Sequence, residues 1–329
     1  AVGCNVVGIT GSTGKTTTKN LLHDILDSAG KKVHSTYSNE NNMIGVPKTI
    51  LAMPEDTQYL ILEMGTNHFG EIEAETMASS PDVGMIVNIG PSHLEFFGDL
   101  QGIYREKTTL LREVLKKEGK VFVPNDPMFE EFFGLDNVFT VDGEIRGGKL
   151  FMELPFEFSM SLSSVTAFYH HNILFAAAAA IGFGIDDKDV EDAILSHRFI
   201  RMSEFEWNGK TVIDDSYNAN PVSYEKALRY LFSLKGRKAL VIGRMLEMGD
   251  SEKIYEQEIF SFIESNTPSL VIAKGSFATD IPNDWIRAKK QAKILDILKK
   301  RSDEYDIVFL KGSHGTEVYK VAKLMEKEI

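Results

Sequence analysis

The run Thr10-Gly11-Ser12-Thr13-Gly14-Lys15-Thr16-Thr17 places two glycines, a lysine and several hydroxyls between an apolar strand-like stretch and a helix-forming one. That is the setting of a phosphate-binding loop. Its glycines let backbone amides turn toward phosphate oxygens, and the helix start adds partial positive charge. In such a loop Gly11, Ser12, Thr13, Gly14 and Thr17 line the phosphates. Lys15 would meet the outer phosphates, and the Thr16 hydroxyl would face a magnesium ion that also binds the nucleotide. The strict eight-residue pattern asks for glycine at position 9, where this chain has Ile9 and the nearest glycine is Gly8. A second apolar run, residues 59–62, ends in Glu63. A carboxylate at the carboxyl edge of a parallel sheet, beside a phosphate loop, is a natural magnesium ligand, with a plain turn carboxylate as the alternative. Residues 83–89 lead into Gly90-Pro91-Ser92-His93, which puts His93 at the same edge. Taken alone, a histidine there is ordinarily structural.

Such residues need a sheet that lines up strand ends. Strand-like runs at 5–10, 59–63 and 84–89 alternate with helical stretches such as 15–29, the texture of a parallel α/β sheet. Between 137 and 167 the pattern shortens, and segments 149–155 and 156–162 read as antiparallel strands of a small β insert. An alanine-rich run from Asn172 suits a helix that Gly184 stops. With the boundary near 196–201, the expected domains are 1–198, a P-loop NTPase-type sheet domain, and 199–329, a Rossmann-like α/β domain. In the second, strands are expected at 211–215, 239–242, 270–273 and 307–310, with helices at 222–234, 253–265 and 288–301.

At 329 residues, with 43% hydrophobic and 26% charged residues, the chain has the composition of a folded soluble protein of two domains. The formal net charge of -12 disfavours nucleic acid as a partner. The longest apolar stretch, residues 173–185, is too short to span a bilayer, so no membrane partner is expected. A single cysteine, Cys4, excludes an internal disulfide, and a cytoplasmic monomer is the expectation.

Three segments carry a family resemblance. The phosphate loop has the short form Thr-Gly-x-x-Gly-Lys-Thr-Thr, followed by Asn39-Glu40-Asn41-Asn42-Met43-Ile44-Gly45-Val46-Pro47 and later by Asp214-Asp215-Ser216-Tyr217-Asn218-Ala219-Asn220-Pro221. Their order resembles the Mur ligase superfamily across nearly all of the chain. That family couples ATP to amide-bond formation through an acyl phosphate. Within it the pattern is similar to the branch that joins D-alanyl-D-alanine to UDP-N-acetylmuramoyl-tripeptide in peptidoglycan precursor synthesis.

The resemblance implies ATP, two magnesium ions and a division of labour among residues. Thr16, Glu63 and His93 would hold metal, and Lys107, in Arg105-Glu106-Lys107, would join them as a carbamate; a solvated helix lysine is the alternative. Asn172, in His170-His171-Asn172, would read the adenine edge, with a helix cap as the alternative, and Phe175 stands where the family often has a second asparagine. Arg201 would meet the terminal phosphate and Asp215 the ribose. Asn41, Asn42, Ser92, Tyr217, Asn218 and Asn220 fall on the substrate side. Lys311 and Ser313 would meet the dipeptide carboxylate, with a strand-to-helix turn as the alternative and His314 in place of the family's arginine. Residues 243–249 would shape a loop.

Ligases of this family normally carry a further N-terminal domain that binds the uridine nucleotide. The expectation is therefore the central and C-terminal parts of a longer ligase. A Mur-type ligase with a different acceptor, such as a folylpolyglutamate-synthase or tetrapyrrole-cofactor relative, is the competing enzyme reading. A nucleotide-binding module without ligase activity is the competing class.

Overall fold

Apolar runs too continuous for a half-exposed strand belong in the middle of a parallel sheet, covered on both faces. The computed structural model describes residues 3–38, 40–199 and 202–329 and uses β1 (Asn5–Thr10) and β3 (Tyr59–Glu63) in that way. The chain divides into two units: Ala1–Gly90 with Phe96–Arg198, and Pro91–Glu95 with Phe199–Ile329. The short segment 91–95 thus groups with the second unit, although the strand that leads into it belongs to the first.

The first unit adds β2 (Val33–Ser35), β4 (Val83–Ile86), β5 (Lys120–Pro124), β6 (Val138–Arg146), β7 (Lys149–Leu154) and β8 (Phe158–Ser161). The sheet order is β2-β3-β1-β4-β5-β6-β7-β8. Pairing is parallel as far as β6 and antiparallel from β6 through β8. The segment expected as a β insert therefore extends the main sheet: β6 pairs in parallel register with β5, Val121 opposite Val138, before the chain turns back on itself. At the centre, Ile9 lies opposite Glu63 and Thr10 opposite Ile86, so the phosphate loop leaves the sheet level with the Glu63 carboxylate.

The helix His170–Gly182 packs against the helix Lys15–Ser28. Ala176 to Ala180 are fully buried, and methyl side chains allow the close approach that brings Asn172 to the phosphate loop.

The second unit contains β9 (Ser203–Trp207), β10 (Lys210–Asp215), β11 (Lys238–Gly243), β12 (Leu270–Lys274), β13 (Ile286–Ala288) and β14 (Ile307–Lys311), in the order β13-β12-β11-β14-β10-β9. Among the described residues only the β9–β10 pair of this sheet is antiparallel. The edge strands β9 and β13 are additions to the expected pattern. Residues 286–288 pair with β12, so the helix expected over 288–301 begins at Gln291. Val241, Ile272, Val308, Leu310, Val321 and Met325 lie in its core, and Asp215, Gly243, Lys274 and Lys311 end the four central strands on one edge. Among the described residues no helix is long and apolar enough to cross a membrane.

Candidate active site

The phosphate loop is held from behind. Asn88, just past β4, accepts from the Thr13 amide at 2.9 Å through Oδ1 and donates to the Thr13 hydroxyl at 2.8 Å through Nδ2. Ser12 donates from Oγ to the Gly90 carbonyl at 2.7 Å and accepts from the Gly90 amide at 3.0 Å. Gly14 is the N-cap of the helix Lys15–Ser28 in left-handed geometry, φ 79°, and no side chain caps that helix. This is the helix start at which an anion is favoured. Lys15 Nζ donates to the Gly11 carbonyl at 2.7 Å, inside the loop it is expected to serve.

Asn172 lies in the first turn of the helix His170–Gly182, whose N-cap is Tyr169. Its Nδ2 donates to the Gly14 carbonyl at 3.2 Å and the Thr18 hydroxyl at 3.1 Å, so it braces the loop instead of capping its own helix. His171 reaches the Val87 carbonyl at 2.7 Å and meets the buried Phe175 edge to face, which fills the place of a second asparagine with an aromatic ring.

Glu63 is 1% exposed. Its Oε1 accepts from the Thr16 hydroxyl at 3.0 Å and from Asn41 Nδ2 at 2.7 Å. Oε2 accepts no hydrogen bond from the described residues, and Lys19 Nζ stands 3.9 Å from it. Thr17 is buried in the same helix turn. Asn42 closes the following turn: its Oδ1 accepts from the amides of Ile44 and Gly45 at 3.1 and 3.0 Å.

Lys107 is 1% exposed on the helix Leu100–Leu115. Burial holds its ammonium well below the usual lysine range, Lys15 adds to the shift, and Glu106 and Glu75 oppose it. It is not a solvated helix lysine. Its neighbour Glu106 accepts from the Gly70 and Ile72 amides at 2.8 and 2.9 Å, at the start of the helix Glu71–Ser79. Glu75, on that helix, has neither carboxylate oxygen hydrogen-bonded among the described residues, and burial pushes its carboxyl up to about 9.

In the second unit Asp215 pairs with Lys311, which also donates to the Asn218 carbonyl at 3.1 Å. Both side chains are buried. Ser313 donates to the Ala219 carbonyl at 3.1 Å and accepts from the Leu246 amide at 3.0 Å, tying three loops together. Asn220 is the N-cap of the helix Pro221–Ser233 in a capping box with Ser223. Tyr217 is exposed, and Asn218 accepts from the Ala219 amide. Arg244 forks onto Glu252 with two 2.6 Å bonds, fixing the loop after β11. His93 and the buried Ser92 lie in the 91–95 segment of this unit, where His93 Nδ1 meets the Glu247 carboxylate at 2.6 Å and holds that carboxyl below its usual range. Arg201 lies outside the described residues.

Residues 9–148 match the Mur ligase middle domain, and residues 197–314 match the Mur ligase glutamate ligase domain. The chain belongs to the Mur ligase family. The UDP-N-acetylmuramoyl-tripeptide--D-alanyl-D-alanine ligase of Bacillus subtilis is 29% identical to it over 98% of this chain and 76% of that protein. The ligase of the same description from Buchnera aphidicola (Acyrthosiphon pisum) is 28% identical over 98% of this chain and 77% of that protein. A crystal structure of MurF from Acinetobacter baumannii superposes with a TM-score of 0.83 at 28% identity, covering 98% of this chain and 77% of that one. The MurF ligase of Thermotoga maritima in complex with ADP superposes with a TM-score of 0.82 at 25% identity, covering 99% and 80%.

In this Mur ligase the structure thus joins Thr16, Glu63 and Asn41 by direct hydrogen bonds, and Asp215 with Lys311. It also places beside these residues three that the sequence reading passed over: Asn88 on the phosphate loop, Lys19 near Glu63, and Glu75, whose charge acts on Lys107. Asn88 follows a strand without any motif of its own. Lys19 does carry a signal, because it shares a helical stripe with the buried Leu22 and Leu26, where a charge is out of place.

Proposed function

We propose that this Mur ligase joins the terminal carboxylate of UDP-N-acetylmuramoyl-tripeptide to the amine of D-alanyl-D-alanine, at the expense of ATP, releasing ADP and phosphate. The observation that carries the reading is the contact of Thr16 with Glu63 at the mouth of the phosphate loop. A hydroxyl and a buried carboxylate, one of whose oxygens accepts no hydrogen bond from the described residues, are the hard oxygen donors that magnesium takes, with nucleotide phosphates and water completing its shell. Magnesium held by Thr16 and Glu63 would supply positive charge for phosphoryl transfer.

The chemistry needs a leaving group on the carboxylate. A substrate carboxylate oxygen attacks the terminal phosphorus, the bond from that phosphorus to ADP breaks, and an acyl phosphate results. The dipeptide amine then attacks the acyl carbon, loses a proton and expels phosphate. Lys15 leaves the Gly11 carbonyl to meet the phosphoryl oxygens, and the helix-start amides hold the remaining charge. Asn172, already bound to the loop, borders the nucleotide. The depressed Lys107 amine is the form that reacts with carbon dioxide, which supports its role as a carbamate. His93 enters as an imidazole oriented by Glu247, and Asp215 and Lys311 as the charged pair at the edge of the second sheet.

The test is phosphate release from ATP with UDP-N-acetylmuramoyl-tripeptide, with and without D-alanyl-D-alanine, followed by mass spectrometry of the product. Release that depends on both substrates and gives the pentapeptide precursor is expected. Release that depends on a different amine would replace the dipeptide in this reading.

A further inference from the structure

Lys19 is an anomaly of the helix Lys15–Ser28. It is 2% exposed, on a stripe that continues through the buried Leu22 and Leu26, and an apolar side chain there would avoid the cost of taking an ammonium out of water. It lies one turn beyond Lys15, on the side where the helix meets the end of β2. Its Nζ donates to the Thr36 carbonyl at 2.6 Å and stands 3.9 Å from Glu63 Oε2.

Thr36 is itself a junction. Its amide donates to the Ile61 carbonyl at 3.0 Å, and its hydroxyl accepts from the Glu63 amide at 3.0 Å. Five residues on, Asn41 returns to the same strand: Nδ2 donates to Glu63 Oε1 at 2.7 Å, and its carbonyl accepts from the Gly65 amide at 2.6 Å. The segment that carries Asn41 and Asn42 is therefore moored at two points to the strand that bears Glu63. Lys19 ties the first mooring to the helix that bears Lys15 and Thr16. A charge buried at a desolvation cost is accounted for here by the two partners it holds in place.

We propose that Lys19 is a positioning residue that fixes the segment from Thr36 to Gly45 relative to the phosphate-loop helix, and so sets the reach of Asn41 and Asn42 toward UDP-N-acetylmuramoyl-tripeptide. The proposal rests on the reading of that segment as a substrate loop. Lys19 touches no phosphate in this account and acts through the loop.

The experiment compares the wild type with Lys19→Met and Lys19→Arg by amide hydrogen exchange and steady-state kinetics. In Lys19→Met, exchange in residues 36–45 should accelerate about tenfold or more while the helix from 15 to 28 keeps its protection. The KM for UDP-N-acetylmuramoyl-tripeptide should rise about tenfold with the KM for ATP changed by less than about twofold. Lys19→Arg should restore part of both. Should Lys19→Met fail to fold, Lys19→Gln, with a shorter and uncharged head, weakens the same bond to the Thr36 carbonyl and should give the same pattern. Unchanged exchange in residues 36–45 overturns the proposal. Accelerated exchange with no change in that KM leaves the tether standing but removes the segment from the substrate site, which overturns both the proposal and the loop assignment beneath it.

Discussion

Asn172 Nδ2 lies 3.2 Å from the Gly14 carbonyl oxygen, and a Cβ built on Gly14 would come within 2.2 Å of that same nitrogen. The two residues are 158 positions apart, yet the space for one is defined by the absence of a side chain on the other. Gly14 also holds φ 79°, a left-handed geometry that costs an L-residue roughly 1–2 kcal/mol. Gly14→Ala should therefore weaken ADP binding by at least about tenfold through strain and collision together. Gly14→Ala should then cost less ADP affinity when added to Asn172→Ala, where the collision is absent, than when added to the wild type, in calorimetric titration. Equal costs on the two backgrounds would show that the collision contributes nothing.

Glu63 is expected to matter for turnover beyond any effect on folding, because a glutamine can keep the bond to the Thr16 hydroxyl while it loses the charge. Glu63→Gln should lower kcat by about a hundredfold or more, the scale of losing a charge stabilising a transferring phosphoryl group. Its circular dichroism should stay near wild type, its melting should fall because the buried Lys19 ammonium 3.9 Å away loses its counter-charge, and activity should respond weakly to added magnesium. A chelator should abolish wild-type turnover reversibly. Full activity in Glu63→Gln would remove this carboxylate from the metal assignment.

The parts of this site that were legible in the sequence are the contiguous ones. Residues 10–17 announce their geometry because glycine, lysine and threonine act within one turn of chain, and Glu63 because it ends a strand of apolar residues. The same local logic placed the central strands of both sheets. Lys19 and Glu75 were not legible, since what a long or charged side chain meets depends on a neighbour far along the chain: Thr36 for one, Lys107 on another helix for the other. Segment 91–95 was read as the continuation of a first-domain strand, and its grouping with the second unit is a tertiary fact with no local marker. Short edge strands escaped for a different reason: β13 has three residues, fewer than an alternating pattern needs to show itself.

The buried Asp215–Lys311 pair separates a folding role from a substrate role. Lys311→Met strands a buried carboxylate and should cost about 3–5 kcal/mol in urea unfolding. Asp215→Leu combined with Lys311→Met removes both charges, and its stability should return most of the way to wild type. If the pair also serves the reaction, as proposed, the stable double variant will remain inactive with both substrates saturating. A double variant both stable and active would confine the pair to architecture.

Glu75 predicts a pH dependence whose sign is unusual for a carboxylate. Burial raises its carboxyl from 4.5 to about 9, with Glu71 and Glu106 adding to the rise and Lys107 and Lys15 opposing it. Between those two values the native chain keeps a proton that the unfolded chain has lost. The unfolded state then binds fewer protons, so this residue makes stability fall as pH rises through the window, by at most about 1.4 kcal/mol per pH unit. Its contribution is fully present below the unfolded value and lost as pH approaches the folded one. Glu75→Gln keeps the size and a neutral head, and should flatten the slope. Relative to wild type the variant should gain stability from pH 6 to pH 8 in guanidinium unfolding. Parallel wild-type and variant profiles over that range would mean that Glu75 is ionised in the folded protein, with Lys107 as its counter-charge.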